Sequence, residues 1–147
     1  MNTNFKVRSP GTSEEMKQYY HVRWLTLRAP WGEPEGSEKD DREDEALHRA
    51  VFLDDKVIGV GRLQKNSPRE AQIRYMGVLE QYRKCGVGRI LVESLEEAAR
   101  EKGFEYIVLD SRESAVGFYI ILGYEVVGKS YLLFNSIQHY KMKKALR

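Results

Sequence analysis

The chain has 147 residues, of which 41% are hydrophobic and 31% charged, with a formal net charge of +2; these proportions fit one folded domain over residues 1–147 and exclude a disordered chain. A charge this small and evenly spread excludes a nucleic-acid protein, and the longest apolar runs, such as Val116–Leu122, are too short to span a bilayer. One cysteine, Cys85, excludes an internal disulfide, three scattered histidines offer no metal-ligand cluster, and Met1–Pro10 lacks the apolar core of a secretory signal, so the expectation is a cytoplasmic protein without a metal.

Phe5 and Val7 alternate with polar residues as in a short strand. Thr12 followed by Glu15 reads as a capping box, and Met16, Tyr19, Tyr20, Arg23, Trp24 and Leu27 then recur at helical spacing up to Ala29-Pro30. The acidic stretch Trp31–Glu45, with Pro34 and Gly36, is expected to be a loop with a short helix over Lys39–Glu45. Three meandering strands follow: Leu47–Leu53, Val57–Gln64 after the Asp54-Asp55 turn, and Ala71–Leu79 after Asn66, Ser67 and Pro68. The period then changes, with Val87, Leu91, Leu95 and Ala98 on one helical face and Gly103 as the stop. Tyr106–Leu109 is continuously apolar, as in a buried strand. A helix over Ser114–Leu122 ends at Gly123, and the strands Tyr124–Gly128 and Ile137–Met142 close the chain.

The turn Gln81-Tyr82-Arg83-Lys84-Cys85-Gly86-Val87-Gly88-Arg89 joins a central strand to the longest of the later helices. A helix N-terminus presents unpaired N–H groups, and two glycines two residues apart let a bulky anion approach the backbone. Arg83, Lys84 and Arg89 add positive charge, which makes a diphosphate the natural guest and a tight turn with a solvated basic rim the alternative. The dinucleotide fingerprint is excluded because no third glycine follows Gly88, and a P-loop because Gly88 is followed by Arg89 and Ile90.

Arg83-x-x-Gly86-x-Gly88 resembles the acetyl-CoA motif of the GNAT superfamily of N-acetyltransferases. A second block, Ala115-Val116-Gly117-Phe118-Tyr119 followed by Leu122-Gly123-Tyr124, resembles that family's later helix and its exit. The resemblance runs from Phe5 to about Lys143. More narrowly, Pro34-x-Gly36-Ser37-Glu38 and Ile137-x-His139-x-x-Met142 look like the acetyltransferase half of bacterial acetyltransferase/thioesterase two-domain proteins, whose thioesterase half would have no chain left here. The implied fold is α/β of the mixed α+β kind, with a mostly antiparallel six- to seven-stranded sheet flanked by about four helices.

The resemblance implies transfer of an acetyl or other short acyl group from acetyl-CoA to a primary amine by direct attack, the amine being a small molecule or belonging to a peptide or protein. It implies that the strand Ala71–Leu79 bulges and splays from Tyr106–Leu109. Met76 N–H would then meet the thioester oxygen, and Gly77, Val78 and Leu79 would run beside the pantetheine arm. The backbone of Arg83, Lys84, Cys85, Gly86, Val87, Gly88 and Arg89 would hold the pyrophosphate. Tyr119 matches the general acid for the departing thiolate, beside Phe118, which is better explained by packing. Arg112 stands where many relatives have Asn and would reach a CoA phosphate. Gln72 stands where one branch has its glutamate base, so His48 and His139 are the candidate bases, each with a structural hydrogen bond as its alternative. Trp24, Arg28 and Trp31 fall at the family's acceptor loop and would frame the substrate or anchor the first helix, and Glu38 would attract a cationic amine. Relatives commonly form homodimers. An acyl-CoA-binding module without catalysis would keep the glycine turn and need neither Tyr119 nor a base.

Overall fold

The computed structural model describes residues 4–147. It contains strands β1 (Phe5–Arg8), β2 (Leu47–Leu53), β3 (Lys56–Lys65), β4 (Glu70–Val78), β5 (Tyr106–Arg112), β6 (Glu125–Leu133) and β7 (Ile137–Ala145). Its helices are α1 (Ser13–Leu27), α2 (Val87–Glu101) and α3 (Val116–Ile121). The strands form one sheet in the order β1-β2-β3-β4-β5-β7-β6, antiparallel throughout except for the β4–β5 pair. The expected mixed sheet is therefore present. The helices number three rather than about four among the described residues, with 3-10 turns at Ala29–Trp31, Glu80–Tyr82 and Glu113–Ala115.

Local chemistry explains the boundaries. Thr12 Oγ1 caps α1 by accepting from Glu15 N (3.1 Å). The Glu15 carboxylate reaches back in turn to the backbone N–H groups of Gly11 and Thr12 and pairs with Arg8. Gly103 (φ 85°) ends α2 and Gly123 (φ 99°) ends α3, positions that a side chain would strain. In the β6–β7 hairpin, Phe134 (φ 52°) and Asn135 (φ 57°) both adopt the left-handed conformation, which gives a tight turn whose twist matches the strands.

The sheet packs α1 on one face and α2 on the other. Gly59 and Gly61 of β3 are required on the α2 face, where added Cβ atoms would lie 2.6 Å from Val87 Cγ1 and 3.1 Å from Leu95 Cδ1. Gly77 of β4 is required on the α1 face, because its Cβ would collide with Thr26 Oγ1. The buried stripe of α1 is Tyr19, Val22, Arg23 and Thr26; it keeps Tyr19 and Arg23 of the expected face but buries Val22 and Thr26, while Met16, Tyr20, Trp24 and Leu27 are only partly buried.

The expected short helix over Lys39–Glu45 is absent; the segment is a series of turns tied to α1 and to the sheet by two fully buried arginines, Arg23 and Arg62. Arg62 grips Asp40 in a two-pronged pair (2.7 and 2.9 Å), and Arg23 binds Glu43 Oε2 (2.7 Å) and the carbonyl of Glu38. These paired charges offset the burial of the guanidiniums, although the Nε of each stays buried without a hydrogen-bond partner among the described residues, and they hold the Asp40 carboxyl well below the usual carboxylate range. Among the described residues, no helix is long and apolar enough to cross a membrane.

Candidate active site

Strand β4 positions the site. It pairs with β5 only from Glu70↔Tyr106 to Ile73↔Leu109, and beyond Ile73 it leaves its neighbour. On the β3 side the register slips between Val60 and Arg62, and Tyr75 sits at φ 58°. A left-handed tyrosine costs about 1–2 kcal/mol, so its surroundings must hold it. The guanidinium carbons of Arg23, Arg62 and Arg74 lie 4.3, 4.8 and 4.8 Å from its ring centroid. This bulge opens a V between β4 and β5. The latter continues to Arg112 through its pairing with β7, three residues beyond the apolar run that marked it in the sequence.

Two cavities meet in the V. The smaller, about 250 Å³, lies at the start of α2 and is lined by Thr26, Leu27, Met76, Gly77, Val78, Tyr82, Arg83, Lys84, Gly88 and Phe118. The larger, about 300 Å³, lies toward the β6–β7 hairpin and includes Arg28, Trp31, Gln72, Arg74, Tyr75, Asp110, Tyr131 and His139. Leu27, Met76, Arg112, Ala115 and Tyr119 line both.

At the small cavity, Gly86 (φ 88°) is the N-cap of α2 and supplies no side-chain cap. Lys84 is also left-handed, at φ 64°. The first N–H groups of α2 thus lack the side-chain acceptor that most helices carry, and left-handed residues beside such an end are of the kind that can shape a concavity for an anion. Gly88 touches Phe118, whose Cζ would lie 3.1 Å from an added Cβ. The remaining residues of the turn divide. Arg83 Nε donates weakly to Val78 O (3.4 Å), Cys85 is exposed, and Arg89 pairs outward with Glu93 (3.0 Å). The side chains of Leu79 and Val87 are core residues, 7% and 1% exposed, so only their backbone can face a ligand.

Where the cavities join, Tyr119 is 7% exposed and its hydroxyl has no hydrogen-bond partner among the described residues. Its ring is fixed edge-on between Phe118 (4.9 Å) and Tyr124 (5.7 Å). Burial pushes its pKa up, so the phenol keeps its proton at neutral pH. Arg112, in register with His139, has no carboxylate partner among the described residues.

The two candidate bases occupy different places. His139 Nδ1 lies 3.0 Å from Ile137 O. A carbonyl only accepts, so Nδ1 carries the proton and the lone pair is on Nε2. The ring stacks on Tyr131 at 4.4 Å, and burial lowers its pKa from the usual 6.5. His48 lies outside both cavities of the V. Its Nδ1 is 2.7 Å from Tyr19 Oη and its Nε2 donates to Glu43 O, so both nitrogens are engaged in tying the acidic loop to α1.

The expected acceptor residues also divide. Arg28 and Trp31 line the larger cavity, with Phe134 of the hairpin tip 6.1 Å from the Trp31 ring. Trp24 Nε1 donates to Glu33 O, anchoring the loop rather than facing the cavity. Glu38 is 5% exposed, and its Oε1 accepts from Gly36 N at 2.8 Å within the loop. It lines neither cavity. Sequence reasoning did not reach Arg74, Tyr75, Asp110 and Tyr131. For Tyr131 the signal was weak, because Tyr131-Leu132-Leu133 is a continuous apolar run and only the side after Ile137 alternates.

Residues 16–124 match the model of the acetyltransferase (GNAT) family. Over 131 residues the chain is 30% identical to the uncharacterized N-acetyltransferase YjcF of Bacillus subtilis, covering 89% of this chain and 93% of that protein. Among solved structures, an acyl-CoA N-acyltransferase from Pseudomonas aeruginosa superposes with a TM-score of 0.80 at 19% identity, over 96% of this chain and 98% of that one. A GNAT family acetyltransferase from Elizabethkingia anophelis with acetyl-CoA bound gives 0.78 at 12% identity, over 98% and 99%; identities this low speak for the fold alone. Taken with the splayed strands and the glycine turn, the match over most of its length means that the chain belongs to the acetyltransferase (GNAT) family.

Proposed function

We propose that the protein transfers an acetyl or other short acyl group from acyl-CoA to a primary amine, both substrates being bound together. The carrying observation is the V between β4 and β5, with an uncapped helix N-terminus at one end and an unpartnered buried phenol at its centre. These residues fit a thioester carrying a diphosphate. The α2 N-terminus, with Arg83 and Lys84, suits the diphosphate, and the unpaired edge of β4 beyond Ile73 suits the amide arm. Met76 N–H is assigned to the thioester oxygen, where a fixed donor stabilises the developing charge.

In this reading His139 Nε2 accepts the proton that the acceptor ammonium must lose, directly or through a water. The amine nitrogen bonds the carbonyl carbon, the carbon–sulfur bond breaks, and Tyr119 gives its proton to the leaving thiolate; the second proton that the nitrogen sheds as the amide forms passes to water, and the Tyr119 phenolate is reprotonated from solvent. No enzyme nucleophile is required. The Tyr119 hydroxyl, unpartnered among the described residues and set in the lining of both cavities, favours catalysis over a binding-only module, which has no use for a proton donor at that point. The narrower kinship with acetyltransferase/thioesterase proteins rests on the two short patterns around Gly36 and His139 alone.

Acetyl-CoA at about a hundred times its Kd should stabilise the protein by roughly 2.7 kcal/mol, visible as a rise in Tm. Free-thiol release in the presence of an amine library should then report turnover. No Tm shift at millimolar acetyl-CoA would sink the reading altogether, and a shift without turnover on any amine would leave the binding module.

A further inference from the structure

We infer that the acceptor is a small primary amine that also carries a carboxylate, held by Arg28 with Arg74 and Arg112 in the larger cavity; this rests on the acyl-transfer reading above. The charges lining that cavity are the guanidiniums of Arg28, Arg74 and Arg112 against the single carboxylate of Asp110. The neighbouring charges do not offset this excess. Behind the wall, Arg23 and Arg62 are matched by Glu43 and Asp40. Asp40 is also the carboxylate nearest Arg74, at 3.6 Å, but both its oxygens are already gripped by Arg62.

Arg28 is built to receive an anion. Its Nε donates to Ser37 O and its Nη1 to Leu27 O, both at 3.3 Å, while its Nη2 has no partner among the described residues. Its guanidinium carbon lies 5.8 and 5.9 Å from the ring centroids of Tyr75 and Phe134, which limits its motion. No carboxylate pairs with it among the described residues. A guanidinium oriented by carbonyls, with free N–H groups facing a cavity, presents the planar fork that a carboxylate accepts in two places.

Asp110, in the same lining, suits the other end of such a molecule. Asp110 Oδ1 accepts from Ser130 Oγ (2.6 Å) and Oδ2 from Gln72 Nε2 (3.4 Å), so the carboxylate is steadied and its remaining lone pairs are free for an ammonium. The same lining repels a polycationic amine, whose additional ammonium groups would meet three guanidiniums in a confined space.

The experiment compares kcat/KM, at saturating acetyl-CoA and corrected for the fraction of amine in the ammonium form that the reaction takes up, for a panel of amino acids and the primary amides of the same amino acids. O-phosphoethanolamine and spermidine complete the panel. The acid of at least one pair should exceed its amide by tenfold or more, chiefly through KM, and added salt should narrow the gap. Arg28→Gln should reduce that acid-to-amide ratio about tenfold, and Arg28→Lys should restore part of it, with the acetyl-CoA-induced Tm shift reporting that each variant is folded. Amides or spermidine turned over as well as the acids would overturn the inference while leaving the acyl-transfer reading intact. Preference for O-phosphoethanolamine over every amino acid would overturn the carboxylate assignment in favour of a phosphate. Absence of turnover on every amine, with the Tm shift present, would remove the catalytic reading and this inference with it.

Discussion

Tyr119 and His139 carry the two proton transfers in the proposed reaction, and each can be isolated by a substitution that keeps its shape. Tyr119→Phe preserves the edge-on packing against Phe118 and Tyr124 and removes only the donor. Its kcat should fall by roughly 10²–10⁴ while the acetyl-CoA-induced Tm shift is retained. An unchanged kcat, with chemistry rate-limiting, would mean that the thiolate leaves without this proton. For His139 the active form is the neutral imidazole, and burial lowers its pKa below 6.5. The parent's kcat/KM should therefore be level near neutrality and fall on the acid side below about pH 6.5. His139→Gln should lower kcat/KM and erase that limb without weakening acetyl-CoA binding. A limb that survives in the variant belongs to another group.

At the scale of elements, β4 is the part whose geometry the site cannot do without. Its left-handed Tyr75 and its glycine at position 77 answer separate demands, one for the bulge and one for the approach of α1. Gly77→Ala would drive a methyl group into Thr26, and moving α1 to relieve it should cost about 1–3 kcal/mol, measurable by denaturant unfolding. Gly117 in α3 is the control, because nothing lies within 4 Å of its added Cβ. Alanine there should stabilise by about 0.5–1 kcal/mol through helix propensity. Gly88→Val tests α2 instead. Its side chain meets Phe118 and fills the small cavity, so the acetyl-CoA-induced Tm shift should vanish; a shift equal to the parent's would place the diphosphate elsewhere.

Across the whole molecule, buried charge ties the acidic loop to the sheet through Arg23, Arg62, Asp40, Glu43 and His48. Burial lowers the His48 pKa from 6.5, so the unfolded chain takes up a proton near pH 6.5 that the folded protein resists. Its contribution to stability is thus fully present above pH 6.5 and is lost as the pH falls through the folded value. His139 is shifted the same way. Tm should therefore decline between pH 7 and pH 5, a window above the titration of Asp40 and Glu43, whose pKa values are lowered. His48→Gln should be less stable at pH 7 and lose less over that window. An equally steep decline in the variant would assign the effect to other groups.

What the sequence determined by itself is what short-range chemistry dictates. Strand and helix periods, the glycine stops at Gly103 and Gly123, the glycine turn at Gly86–Gly88 proposed to take the diphosphate, and the Tyr119 block are all encoded within a few consecutive residues. The tertiary structure alone decided which distant residues share a cavity. Arg28, Arg74 and Asp110 come from α1's end, β4 and β5, and no local pattern marks them as neighbours. It also separated His139, with its free Nε2, from His48, whose nitrogens are engaged, although both read alike as histidines in strands. Glu38 and Trp24 turned inward for a similar reason, since a loop's own carbonyls and N–H groups compete for its polar side chains. A hydrogen-bond partner is chosen by proximity in space, and for residues far apart in the chain that proximity exists only once the sheet has formed.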